Sequence, residues 1–102
     1  MSVGGTYTCV LKTPMGEKEG TLIIIPSEGG DSFTGSLTND LMGSVAIENG
    51  EIYGDGLSCK MAISKPMRMN VECDAVVDGD VLNGMVEAGM FGSMKLSGRR
   101  TG

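Results

Sequence analysis

Histidine and tryptophan are both absent from this chain of 102 residues. Without histidine there is no imidazole to serve as general base or metal ligand, and no Ser–His or Cys–His nucleophile pair. Phosphate-binding loops, dinucleotide fingerprints and EF-hand loops are missing too. Positive charge is scarce: 8 lysines and arginines stand against 13 aspartates and glutamates, for a net charge of −5 and a pI near 4.5. An acidic chain with 2 tyrosines and 2 phenylalanines lacks the footprint of a nucleic-acid binder, and Arg99-Arg100 is too short a run to change that. The longest purely apolar run, Leu22-Ile23-Ile24-Ile25, falls far short of the ~20 residues of a spanning helix. We therefore expect no membrane partner and no nucleic acid. The first residues, Met-Ser-Val-Gly-Gly-Thr, have neither the basic start nor the apolar stretch of a signal peptide. Cys9, Cys59 and Cys73 are odd in number and show no CxxC spacing, so the expectation is free thiols in a cytoplasmic setting, with no cofactor.

What the chain does have is glycine, 17 residues of it, and 9 methionines. The glycines punctuate segments of strict apolar/polar alternation, the mark of half-buried strands. Met67, Met69, Val71, Cys73 and Ala75 alternate with Arg68, Asn70, Glu72 and Asp74. Leu57, Cys59 and Met61 alternate with Ser58, Lys60 and Ala62, and Tyr7, Cys9 and Leu11 share one face in the same way. Asn49-Gly50 reads as a type I′ hairpin turn, and Asp55-Gly56 and Asp78-Gly79 as similar turns. The pattern predicts strands over 6–13, 19–26, 32–39, 43–48, 51–54, 57–64, 67–77, 80–88 and 91–98, with no long helix.

An internal repeat runs through this pattern. Gly30-Asp31-Ser32-Phe33-Thr34-Gly35 aligns with Gly79-Asp80-Val81-Leu82-Asn83-Gly84, and Gly43-Ser44 with Gly92-Ser93. Upstream, Cys9 and Pro14-Met15 match Cys59 and Pro66-Met67. The repeats cover about 6–54 and 55–100 of a single domain. A unit with two raw sheet edges is best hidden by closing two copies into a ring. The expected fold is thus all-β: an antiparallel up-and-down meander of eight to ten strands in a closed barrel, with a two-layer sandwich as the alternative.

Thr13-Pro14-Met15-Gly16, Phe33-Thr34-Gly35, Gly43-Ser44, Val77-Asp78-Gly79-Asp80, Phe91-Gly92-Ser93 and Gly98-Arg99 together resemble a small β-barrel domain. That domain is found as a C-terminal appendage of some bacterial metabolic enzymes, amidohydrolase-like proteins among them. The resemblance implies an accessory role beside an enzyme and carries no catalytic residues. In shape, the expected barrel is more distantly similar to lipocalin- and avidin-like barrels, which hold small molecules.

Candidate sites follow from side-chain parity. Met61, Met67, Met69 and Met94 fall on the inward face with Gly35 and Gly84. They form either a gap-filled core or a soft lining for a small apolar ligand. On the outward face the first copy carries Ser32, Thr34, Ser36 and Thr38, but the second carries Val81 and Met85, followed by Phe91. Thr21–Ile25 is apolar on both faces, with Ile23 and Ile25 facing out. Ile23, Ile25, Val81, Met85 and Phe91 are therefore the candidate interface residues. The leading reading is a non-catalytic module that self-associates or docks on a partner enzyme. The alternatives are a small-ligand barrel and, third, an enzyme relying on carboxylates or on Tyr7 and Tyr53. Asp78-Gly79-Asp80 is more simply a turn than a calcium site. The cysteines, in step with apolar neighbours, are expected to be buried and slow to react.

Overall fold

A computed structural model describes residues 4–13, 16–39, 43–63, 69–89 and 92–101, with the side chains of Ile63 and Met69 outside that description. Eight strands follow one another in chain order. They are β1 (Gly5–Thr13), β2 (Gly16–Pro26), β3 (Ser32–Asn39), β4 (Gly43–Tyr53), β5 (Gly56–Ile63), β6 (Met69–Asp78), β7 (Val81–Glu87) and β8 (Ser93–Arg100). Each pairs antiparallel with the next, and β8 pairs with β1, so the meander closes into a barrel. Closure leaves no sheet edge exposed.

Alternation decides which side chains fill the interior. Tyr7 and Cys9, Leu22 and Ile24, Leu57, Cys59 and Met61, and Val71, Cys73, Ala75 and Val77 are all buried at every second position. No polar or charged residue joins them among the described residues. An eight-stranded barrel is just wide enough for side chains to fill. Tyr7 and Leu82 are the largest of the fully buried side chains among the described residues. At one end Arg100 turns inward and closes the barrel. Its guanidinium lies 5.3 Å from the centre of the Tyr7 ring and donates to the Tyr7 hydroxyl at 2.8 Å. A second nitrogen approaches Asp80 at 3.8 Å.

The strand count differs from expectation at Asn49-Gly50. These residues do not turn the chain; β4 runs through them as one strand. Glu48 pairs with Lys60 and Glu51 with Ser58, so Asn49 and Gly50 together oppose Cys59. That is a β-bulge, and Asn49 sits at a φ of 52°, which asparagine tolerates better than most residues. The extra residue resets the parity: Val45 and Ile47 face inward before it, Gly50 and Ile52 after it. It also shifts the register against β3. Gly50 is paired with Phe33, and a Cβ there would lie 2.9 Å from the Phe33 ring, which takes up that space.

The two tight turns are displaced by one residue from Asp-Gly. Tyr53 pairs with Gly56 and Asp78 with Val81, so the turn residues are Gly54-Asp55 and Gly79-Asp80. Glycine comes first in both, at φ values of 63° and 62°, as a II′ turn requires. The first of these turns joins β4 to β5, so the stretches before and after it hold four strands each.

Candidate functional site

The inward candidates among the described residues, Met61, Met94, Gly35 and Gly84, are packed against the barrel's own atoms. Met61 is buried in the core and Met94 is half-buried against it. Met67, and the side chain of Met69, lie outside the described residues. Gly35 pairs with Ile24, and a Cβ on it would run into the carbonyl oxygen of Ile23. A Cβ on Gly84 would strike the carbonyl oxygen of Asp74 and come within 2.7 Å of the Ala75 Cβ. Both glycines thus let adjacent strands approach closely, and neighbouring backbone fills the space beside them.

Possible catalytic groups are scattered. Tyr7 is fully buried beneath Arg100, while Tyr53 is exposed and donates to Glu51 at 2.8 Å. Among the described residues, no three side chains of the metal-ligating types gather as a metal ion would need. A shallow depression of about 520 Å³ opens on the outside of β4–β7. Its floor carries a cross-strand row of Glu48, Lys60, Glu72 and Glu87. The Lys60–Glu72 pair there is 3.8 Å apart and mostly exposed, an arrangement worth little.

The three thiols are free and buried. Cys9 lies between glycines in the register, Gly20 on β2 and Gly98 on β8, and its Sγ occupies the space a Cβ on Gly98 would need. Burial pushes its pKa up to about 11. An unfolded thiol loses its proton near pH 9.0, so between about pH 9 and pH 11 the unfolded state has released a proton that the folded state keeps. Stability from this group is complete below pH 9 and is lost as the pH rises toward 11. Urea midpoints measured from pH 8 to 11 should therefore fall more steeply for the wild type than for Cys9→Ala. Parallel curves would place Cys9 in contact with solvent.

The outward candidates occupy two separate parts of the wall. Ile23 and Ile25 lie on β2, and Ile25 is 56% exposed. Val81 and Met85 lie on β7, separated from β2 by β8 and β1. Phe91 lies outside the described residues. Around β7 the surface is ordered by the register. Asp74, Met85 and Lys95 are directly opposed in one row, and Asp78, Val81 and Arg99 in another. Between these rows Val76 faces Asn83, and Asn83 faces Ser97. A largely apolar strip, Val81 and Met85 with Asn83 between them, therefore follows β7, with acids along β6 and bases along β8.

Val76, 56% exposed, and Tyr53 extend the strip, and neither was among the expected interface residues. Val76 was legible from its parity, because it shares the outward face of Glu72 and Asp74. Tyr53 was obscured by the supposed hairpin. It pairs with Gly56, which pairs in turn with Val76, so the glycine leaves room between the two exposed apolar side chains. No family model, no curated protein and no solved structure matches the chain; the structure shows a small, eight-stranded antiparallel barrel.

Proposed function

We propose that this protein is a non-catalytic assembly module that pairs with a second copy of itself through the outer wall of β6–β8. The observation that carries this reading is the charge order across the apolar strip. A two-fold axis running along β7 lays β6 of one copy over β8 of the other. Asp74 and Asp78 then meet Lys95 and Arg99 twice over, around Val81 and Met85 on the axis, with Asn83 between them and Val76 beside it. An axis across the strands would set acid on acid. The wall is thus self-complementary in the one isologous arrangement, and isologous pairing is the commonest way to cover such a patch. Exposed apolar side chains at the centre with charges at the rim are the usual anatomy of an interface. An accessory role beside an enzyme leaves the wall of β2, with Ile23 and Ile25, for the other partner.

Light scattering at micromolar concentration should give a dimer mass that falls toward a monomer as salt is raised, since rim charges are screened. Met85→Glu should give a folded monomer. Lys95→Glu with Arg99→Glu should weaken the dimer, and adding Asp74→Lys with Asp78→Lys should restore it. A monomer at high micromolar concentration, or a dimer indifferent to Met85→Glu, would refute the proposal.

A further inference from the structure

Cys59 on β5 and Cys73 on β6 are directly opposed in the register, and both point into the barrel. Val77 donates its N–H to the Asp55 carbonyl at 2.8 Å, across the same ladder. Alternation from that bond makes Cys59–Cys73 a hydrogen-bonded pair, with Cα atoms about 5.5 Å apart. Disulfides span Cα separations of about 4.4–6.8 Å.

The sheet beside them is interrupted. The bulge sets Asn49 and Gly50 against Cys59 alone and interrupts the β4–β5 ladder at that point. Beside the interruption lies a groove of about 320 Å³ on the outer surface, lined by Asn49, Ser58 and Asp74 over the outer side of Cys59 and Cys73, whose side chains point the other way, into the barrel. Cys9, by contrast, stands on β1, which pairs with neither β5 nor β6.

We propose that Cys59 and Cys73 form a peroxide-sensitive dithiol that closes into a cross-strand disulfide, with the bulge at Asn49-Gly50 as its window to small oxidants. The Cys59 thiolate attacks one oxygen of a hydroperoxide. The O–O bond breaks, water or an alcohol leaves, and Cys59 becomes a sulfenic acid. The Cys73 sulfur then attacks the Cys59 sulfur, the S–O bond breaks, and a second water carries off the remaining proton. The two thiols together give up two electrons, and the hydroperoxide accepts them. The Cys73 S–H facing Cys59 favours the Cys59 thiolate and holds it below an ordinary thiol, whereas the same pairing, and then burial, push Cys73 far up. Cys59 is therefore the attacking sulfur and Cys73 the resolving one. The reaction does not depend on whether the chain pairs with a second copy.

The test exposes the folded full-length protein to stoichiometric hydrogen peroxide at neutral pH, then alkylates in denaturant and maps the peptides by mass. The expected product has lost the mass of two hydrogens, contains a Cys59–Cys73 linked peptide and carries alkyl only on Cys9. Cys9→Ser should behave identically. Cys73→Ser should stop at a sulfenic acid on Cys59, which dimedone will trap. A link through Cys9, three alkylatable thiols after treatment of the folded wild type, or over-oxidation of Cys59 with no link would each overturn the proposal.

Discussion

Gly84→Ala should lower stability by about 3 kcal/mol, the upper end of what overpacking typically costs. Gly84 faces inward on β7, and its added Cβ would collide with the Asp74 carbonyl and with the Cα and Cβ of Ala75. None of these atoms is the free end of a flexible chain. Relief requires β6 and β7 to part, which breaks the ladder that carries the proposed interface. Gly29→Ala is the control. Its added Cβ meets only the Asp31 carboxylate, at 3.3 Å on an exposed loop, and should change stability by no more than about 0.5 kcal/mol. Equal losses from the two variants in chemical denaturation would mean that β6 and β7 are not packed as closely as their register implies.

Val71→Lys should be as damaging, at about 3–5 kcal/mol, while its neighbour Glu72→Met should stay within about 0.5 kcal/mol. Val71 is 2% exposed and points into an interior without a single buried polar residue among those described, so a lysine there finds no partner. Glu72 points outward from the next position and makes one loose, exposed contact with Lys60. Thermal melts of both variants separate the two faces of β6. Comparable melting temperatures would show that the strand does not hold one face to the core.

Much of this architecture could be read directly, because a period of two is a strong signal wherever one face is buried. Among the described residues, the inward positions on β1, β5, β6 and β7 are those the alternation names, and closure follows from the need to hide edges. The errors arose where one short motif serves two geometries. Asn49-Gly50 suits a hairpin turn and a bulge equally well. Only the space opposite Phe33, which a glycine must leave open, and the continued pairing with β3 and β5 make it a bulge. The misplaced turns at Gly54-Asp55 and Gly79-Asp80 have a similar origin, since moving a two-residue turn by one position exchanges Asp-Gly for Gly-Asp. Gly35 and Gly84 were legible as inward glycines. Whether an inward glycine makes room for a guest or for a neighbouring strand is a three-dimensional question. The charge order around β7 was hidden for the same reason: Asp74, Met85 and Lys95 are far apart along the chain and meet only through the register.

The claim that function resides on the wall of β6–β8 rather than in the barrel is tested most directly by a methyl NMR dilution series on the wild-type protein. On dilution, the Val76, Val81 and Met85 methyl signals should move together along one binding curve, and added salt should shift that curve to higher protein concentration. The inward methyls of Val71, Leu82 and Val86 should stay in place. If the outward signals are unchanged across the series while the solution mass stays that of a monomer, or if Ile23 and Ile25 move in their stead, the β7 wall is not where this protein associates.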